Sequence, residues 1–216
     1  MHKPSAGVCL EGLPYIVFAF LVCIVLALLG WGWLSILALL AAFGILHFFR
    51  DPERVIPYAQ GLAVSPADGK VIAIDSVRDP VSGIERQRVC VFMNVFNVHV
   101  NRMPVAGTVQ GLDYYPGKFL NASWDKASKD NERNVVSIVD EEQRQWTVVQ
   151  IAGLVARRII CWAENGDKLK RGQRFGLIKF GSRVDLYLPE DYEVKIKVGA
   201  KTIAGQTVVA RQKNNV

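Results

Sequence analysis

Residues 12–49 form an uninterrupted run of 38 residues without Asp, Glu, Lys or Arg. As one straight helix this run would be about 57 Å long at 1.5 Å per residue. The hydrocarbon core of a bilayer is only about 30 Å thick, so a single span is too long. Glycine and tryptophan alternate at 30–33, the midpoint of the run. The sequence therefore predicts two membrane helices, at about 13–29 and 34–49, joined by a turn.

The turn and the flanking charges predict how such a hairpin is oriented. Tryptophan prefers the membrane interface, because its ring is apolar while its N–H needs a polar partner. A hairpin returns both ends to one side, and Lys3, Arg50 and Arg54 flank it. The positive-inside rule then places that side in the cytoplasm. The run far exceeds the h-region of a signal peptide. The sequence leaves open whether the hairpin spans the bilayer or dips into one leaflet.

The charge of the chain is concentrated after the hairpin. The chain has 26 basic and 20 acidic residues, and residues 1–49 hold one of each, so the net charge of +6 belongs to residues 50–216. A basic domain at a bilayer suits anionic phospholipids. Nucleic acid is disfavoured, because no Arg- or Lys-rich run carries stacking aromatics. The four cysteines have no CxxC spacing, which favours reduced structural thiols and no metal site.

We divide the chain into a membrane-anchoring hairpin, 1–50, and a β-rich domain, 51–216. Short runs rich in β-branched residues predict about eight strands and almost no helix in the second part. These runs lie at 71–74, 88–96, 108–114, 134–139, 146–151, 156–162, 184–188 and 193–198. Only 118–130 reads as a loop or weak helix. The expected fold is mainly β, barrel-like or sandwich-like, with turn–strand–turn segments at 167–173 and 199–206 that resemble lipoyl-type β-hybrids.

Two residues of the β-rich domain are candidates for proton transfer. His99 is its only histidine; it either makes structural hydrogen bonds or moves protons, because imidazole titrates near neutrality. A single histidine also argues against zinc hydrolases. Asp68 precedes Gly69 in a proline-containing turn. It is either a turn residue or a carboxylate that orients a catalytic histidine.

Two further segments carry weaker signals. Asn131-Glu132-Arg133 is either a solvated charged cluster that opens a strand or an anion contact, in which Arg133 grips a phosphate or carboxylate. Gly181-Ser182 is a Gly-Ser pair, which the 18 glycines of the chain make unremarkable by chance. The pair therefore needs support from its surroundings.

Four ordered motifs supply that support. They are Ser65-Pro66-Ala67-Asp68-Gly69, the His99–Pro104 segment, Asn131-Glu132-Arg133 and Phe175–Ser182. With the membrane hairpin, they resemble the phosphatidylserine decarboxylase family, in particular its short, membrane-anchored bacterial branch, over residues 12–210.

The resemblance implies a lyase made from a proenzyme. Gly181-Ser182 would be cleaved autocatalytically, giving a β chain, 1–181, and an α chain, 182–216. Ser182 would become a covalent pyruvoyl group, and this cofactor would form a Schiff base with phosphatidylserine, releasing CO₂ and phosphatidylethanolamine. Expected partners are phosphatidylserine, anionic membrane lipids and the two chains of one precursor, with a homo-oligomer left open. The enzyme would work at the cell membrane, its catalytic domain on the cytoplasmic face and its pocket open toward 50–54.

The resemblance also implies residue roles. Ser182, His99 and Asp68 match catalytic positions, and we expect Arg102, Asn131 and Arg133 to contact the substrate. Longer bacterial members carry a second histidine where this chain has Arg102. Either His99 serves both self-cleavage and decarboxylation, which we favour, or Asp68 and a water cleave the chain while Arg102 contributes charge.

Two other functions remain as alternatives. A non-catalytic, membrane-tethered lipoyl-like adaptor or carrier would explain the β pattern but gives His99 and Gly181-Ser182 no role. A pyruvoyl decarboxylase of another amine would explain both, although the hairpin argues against a soluble substrate.

Overall fold

The computed structural model describes residues 7–117, 122, 130–153, 158–179 and 181–213. The chain divides into two compact units, 1–53 and 54–216.

The first unit is helical. A short 3₁₀ turn, Leu10–Gly12, leads into α1 (Leu13–Leu28), and α2 (Gly32–Phe48) follows. Gly30 has φ 76 in the turn between them, a conformation that glycine adopts without a steric penalty. Both helices lie within two residues of their expected bounds.

The two helices are joined by side-chain contacts in their middle. The Ser35 hydroxyl donates to the Cys23 carbonyl oxygen at 3.0 Å, and the rings of Phe20 and Phe43 meet edge to face at 6.1 Å. At the start of α1, a Cβ on Gly12 would lie 2.3 Å from the Phe49 ring. Glycine therefore permits the close approach of the two ends of the unit.

The helices expose their apolar residues. Leu10–Leu28, 19 residues long, is long and apolar enough to cross a bilayer, whereas Gly32–Phe48 is shorter. Only 11% of the first segment is buried, so it is not the core helix of a water-soluble fold. Phe18, Leu28 and Trp33 are 66%, 82% and 71% exposed. Exposed apolar surface of this extent indicates association with a membrane.

The second unit confirms the mainly β prediction. Its described part contains fourteen strands: β1 (Leu62–Val64), β2 (Gly69–Arg78), β3 (Glu85–Met93), β4 (Val100–Arg102), β5 (Gly107–Tyr115), β6 (Arg133–Val139), β7 (Gln145–Ala152), β8 (Ile159–Cys161), β9 (Lys168–Leu169), β10 (Arg174–Ile178), β11 (Ser182–Tyr187), β12 (Tyr192–Val194), β13 (Lys201–Thr202) and β14 (Val208–Gln212). The number exceeds the eight predicted runs because the additional strands, β1, β4, β9, β10, β13 and β14, have only two to five residues, too few to show a clear periodicity.

The strands build one large antiparallel sheet and two small ones. The large sheet has eight strands in the order β13-β2-β3-β11-β7-β6-β5-β9. The small sheets have the orders β1-β14-β12 and β4-β10-β8. β11 lies inside the large sheet, hydrogen-bonded to β3 on one side and β7 on the other.

The main core lies against one face of the large sheet. Alternate residues of the central strands, among them Val91, Val148 and Val184, are fully buried in it. Trp146 is also fully buried, and its indole N–H donates to Asp140 at 2.9 Å, which satisfies the one polar group of the ring. Full burial of an aliphatic side chain such as Val91, Val148 or Val184 stabilises the fold by roughly 1.5–3 kcal/mol.

The two turn–strand–turn segments have matching geometry. β9 lies between Gly166 and Gly172, whose φ angles are 89 and 76. β13 lies between Gly199 and Gly205, with φ angles of 91 and 76. β9 pairs with the start of β5, and β13 pairs with the start of β2. The two halves of the unit therefore repeat one local design, as the lipoyl-type likeness predicted.

The strand expected at 88–96 is shorter in the structure, where it ends at Met93. Asn94 and Asn97 close a turn there: the Asn94 N–H donates to Asn97 Oδ1 and the Phe96 N–H to Asn94 Oδ1, both at 2.9 Å. Most of the loop expected at 118–130, and the start of the strand expected at 156–162, lie outside the described residues.

Candidate active site

Ser182 is the first residue of β11 and faces the main core. It pairs with Met93 of β3 and with Ala152 of β7. Its side chain is completely buried, and within the described structure its hydroxyl has no hydrogen-bond partner. An unsatisfied buried polar group costs about 1–3 kcal/mol. A buried hydroxyl of this kind calls for an explanation, and a catalytic role is one.

The peptide bond before Ser182 has a special backbone conformation. Gly181 has φ 53, in the left-handed region that residues with a Cβ rarely adopt. Its carbonyl oxygen lies so close to Gly153 that a Cβ built there would be 2.0 Å away. The expected cleavage site thus combines an unusual backbone conformation with a close approach of two chain segments.

His99 is fully buried immediately before β4. Its backbone carbonyl accepts from the Ile178 N–H at 3.3 Å, which ties it to the strand that leads to Gly181. Its Nδ1 lies 2.9 Å from the Asn97 carbonyl oxygen. A carbonyl can only accept, so in the neutral ring Nδ1 carries the proton and Nε2 carries the lone pair. This tautomer can act as a base through Nε2.

Asp68, directly before β2, has its carboxylate held from two directions. Oδ1 accepts from the backbone N–H of Ala204 at 2.7 Å, and Oδ2 accepts from Arg54 at 2.9 Å. The residue is 8% exposed. Both contacts favour the ionised form of the carboxylate.

Arg102 lies against the same turn as Asp68. A Cβ on Gly205 would be 3.1 Å from Arg102 Cδ, and Gly205 directly follows Ala204, which binds Asp68. The Arg102 guanidinium is nearly buried and donates to the Gly172 carbonyl at 2.9 Å. The structure therefore brings Asp68 and Arg102 to one turn.

The Asn131–Arg133 segment divides between the two faces of the sheet. Asn131 is fully buried and donates to the Ala152 carbonyl at 2.7 Å. Ala152 is the strand partner of Ser182. Arg133 pairs with Ile151 instead and points to the opposite face, where its guanidinium stacks 4.4 Å from the Tyr115 ring centre. The substrate contact of Arg133 stays a prediction.

A chain of buried amides that was not predicted from the sequence lies beside Ser182. Asn134 donates to Gln150 at 3.0 Å, Gln150 donates to Asn101 at 2.8 Å, and Asn101 points its amide at the Met93 sulfur, 3.8 Å away. Met93 is the strand partner of Ser182. Gln150 lies at a core-facing position of an apolar strand, and this pattern in the sequence could have revealed the chain.

The residues that follow Ser182 form a separate buried ion cluster on the other face. Arg183 donates to both carboxylate oxygens of Asp185, at 2.5 and 2.8 Å, and Arg88 lies 3.4 Å from the same carboxylate. Burial and, next, the Asp185 charge raise the pKa of Tyr187 from 10.0 to about 12. Strand alternation keeps this cluster away from the Ser182 hydroxyl.

The comparisons with known proteins agree with this geometry. Residues 41–210 match the family model described as phosphatidylserine decarboxylase. A phosphatidylserine decarboxylase proenzyme of Nitratidesulfovibrio vulgaris is 56% identical over 98% of both chains. Proteins of the same name from Oleidesulfovibrio alaskensis and Nitrosomonas eutropha are 54% and 50% identical, each over at least 97% of both chains. The chain belongs to the phosphatidylserine decarboxylase family, which confirms the resemblance read from its motifs.

Proposed function

We propose that this protein is a self-processing proenzyme that decarboxylates phosphatidylserine to phosphatidylethanolamine and CO₂. The observation that carries the proposal is the buried Ser182 hydroxyl without a partner in the described structure, directly after Gly181 at φ 53. The proenzyme names of relatives at 50–56% identity support the same activity.

Self-cleavage would proceed through the side chain of Ser182. Its Oγ attacks the Gly181 carbonyl carbon; the C–N bond breaks, the nitrogen takes the hydroxyl proton, and an ester links the two chains. Loss of the Ser182 Cα proton then expels the Gly181 carboxylate and leaves dehydroalanine. Water converts dehydroalanine to a pyruvoyl group and ammonia. Residues 1–181 and 182–216 would stay together, because β11 is hydrogen-bonded to β3 and β7.

The residues around Ser182 fit this group. The serine lies in the core rather than in solvent, so the new carbonyl would form where water is scarce. A pyruvoyl carbonyl supplies the electron sink that loss of CO₂ requires. Asn131 would help to shape the pocket from the Ala152 side, and Arg102 would provide positive charge toward an anionic headgroup.

We assign His99 as the proton carrier for both reactions. Its Nδ1 contact with Asn97 places the lone pair of the neutral ring on Nε2. Arg54 and Ala204 hold the Asp68 carboxylate in place, which suits a group that orients its surroundings and acts in cleavage. In the alternative assignment, Asp68 and a water would remove the serine proton.

The anchor would hold this site at the cell membrane, on the cytoplasmic face. Arg50 and Arg54 follow the apolar run in the sequence, and the positive-inside rule favours the cytoplasm for them. A diacyl substrate stays in the bilayer, so an anchored enzyme meets it in two dimensions. Protease added to inverted membrane vesicles should digest 54–216; full protection would contradict this orientation.

Intact-mass analysis of the purified protein tests the cleavage. We expect two chains, the smaller one beginning with a blocked residue 182. Ser182→Ala should remain a single chain of about 24.0 kDa and release no CO₂ from carboxyl-labelled phosphatidylserine. Ser137→Ala, a second buried serine, is the matched control and should be cleaved normally. An uncleaved wild-type chain would overturn the proposal.

The same material tests the substrate. Vesicles that contain carboxyl-labelled phosphatidylserine should release CO₂, whereas free serine should not. If a soluble amino acid is turned over and the vesicles are not, the enzyme is a pyruvoyl decarboxylase of another amine.

A further inference from the structure

We propose that Gly153 is a positioning residue for self-cleavage: the absence of a side chain there sets the place of the Gly181 carbonyl that Ser182 attacks. The inference rests on the proposed cleavage between Gly181 and Ser182. It adds a residue that no motif of the sequence indicates.

Gly153 and Gly181 lie next to each other at the ends of two neighbouring strands, β7 and β11. Ser182 pairs with Ala152 in the antiparallel ladder of β11 and β7. One step beyond the ladder, Gly153 follows Ala152 and Gly181 precedes Ser182. An ideal Cβ on Gly153 would lie 2.0 Å from the Gly181 oxygen and 3.0 Å from its carbonyl carbon. No real side chain fits at 2.0 Å, so any other residue must displace one of the two backbones.

The two glycines are required for different reasons. Gly181 has φ 53, yet a Cβ built on it meets nothing within 4 Å. Its constraint is the backbone conformation alone. Gly153 is constrained by space instead, because there is no room for a Cβ beside the Gly181 carbonyl oxygen. A Cβ on Gly153 would strike the carbonyl oxygen of Gly181, the residue whose peptide bond is to be broken. This oxygen is a backbone atom and cannot rotate away.

The position of that carbonyl decides whether the acyl shift occurs. The Ser182 oxygen must come within about 3–3.5 Å of the Gly181 carbon in a suitable direction, and a displacement of about 1 Å can cost 100-fold in rate. The Ser182 side chain is enclosed by the core, so it cannot follow a displaced carbonyl. A methyl group on Gly153 would therefore separate nucleophile and electrophile.

Gly153→Ala tests this role. We expect wild type to appear as two chains and Gly153→Ala to remain one chain, with cleavage at least about 100-fold slower. Hydroxylamine, which cleaves esters but not peptides under mild conditions, should release no fragments from the variant, because the ester never forms. A merely destabilised protein that still forms the ester would be cut.

Gly107→Ala is the matched control. A Cβ on Gly107 would lie 2.7 Å from the Val139 carbonyl oxygen, so it introduces a comparable backbone conflict in the same sheet, away from Ser182. This variant should mature at the wild-type rate. Melting temperatures of both variants, measured against uncleaved Ser182→Ala, separate misfolding from mispositioning.

The outcomes distinguish this inference from the proposed function. An uncleaved wild-type chain would refute the cleavage itself. A cleaved wild type together with normal maturation of Gly153→Ala, or with fragments released from it by hydroxylamine, would refute the role of Gly153. If Gly153→Ala does not fold, the crystal structure of Ser182→Ala decides: the Gly181 oxygen must lie in van der Waals contact with Gly153 Cα, and a gap there would overturn the inference.

Discussion

The guanidinium of Arg54 binds the carboxylate of Asp68, with 2.9 Å between Nη2 and Oδ2. The two side chains are only 13% and 12% exposed, so solvent screens this pair less than an ordinary surface ion pair. The Ala204 N–H fixes the other carboxylate oxygen. In the sequence Arg54 is only a charge that flanks the membrane segment, whereas in the structure it also holds the Asp68 carboxylate.

Loss of Arg54 should therefore slow maturation. Arg54→Met removes the ion pair with Asp68, and we expect self-cleavage to slow by about tenfold or more, equivalent to roughly 1.4 kcal/mol. Arg54→Lys keeps the charge and should restore part of the rate. The measurement is the fraction of cleaved chain against time by mass spectrometry. Arg211→Met, at an exposed position, is the control; an equal effect there would argue against a specific role.

Replacement of His99 should stop both reactions. His99→Gln removes the Nε2 lone pair, and general acid–base groups contribute about 10²–10⁴-fold to rate. We expect an uncleaved chain and no CO₂ release, measured on the same preparation. His47→Gln changes a histidine of the helical unit and should behave as wild type. Normal cleavage of His99→Gln would instead support Asp68 and a water as the cleaving base.

The buried amide chain should contribute to stability. Gln150→Leu removes a buried hydrogen-bond partner from both Asn101 and Asn134, and each unsatisfied group costs about 1–3 kcal/mol. The free energy of unfolding, measured by urea titration in a Ser182→Ala background, should fall accordingly. Gln87→Leu, on an exposed part of β3, should change it by less than about 0.5 kcal/mol. If Gln87→Leu lowers the free energy of unfolding as much as Gln150→Leu does, the buried amide chain makes no special contribution to stability.

Tyr187 should make stability fall at high pH. Its pKa is raised from 10.0 to about 12 in the folded protein, so above pH 10 the folded state binds more protons than the unfolded state. The contribution of Tyr187 is complete below pH 10 and is lost as the pH rises toward 12. Absorbance of tyrosinate at high pH should show a late-titrating component that is missing in Tyr187→Phe. Ionisation of Tyr187 near pH 10 in the folded protein would contradict this assignment.

Much of the fold followed from local pattern. Alternation of apolar residues is visible over five or more residues, so β2, β5, β6 and β7 were found, and the run at 12–49 indicated the helices. Short strands outside the predicted segments, such as β4, were not found. β4 has three residues, Val100–Arg102, and it exists because β10 and the turn around Pro66 accept its backbone hydrogen bonds. Such pairing depends on segments that are distant in sequence.

The candidate site shows the same division. The order of motifs predicts Ser182, His99 and Asp68 as site residues, since each stands in a recognisable segment. It also predicts Arg133 as a substrate contact, which stays a prediction; alternation along β6 turns Arg133 toward Tyr115, on the face opposite Ser182. A run of three adjacent polar residues in a sequence does not tell which of them faces the core.

The sequence by itself determined the mainly β class, the apolar helical segment and the family, because these depend on composition, periodicity and motifs along the chain. The tertiary structure decided which distant groups meet: Arg54 with Asp68, Asn131 with the neighbour of Ser182, and Gly153 with the Gly181 carbonyl. These contacts depend on strand register and on close approach of backbones, to which residues far apart in the chain contribute together. A glycine required for space, as at position 153, has no local signature at all.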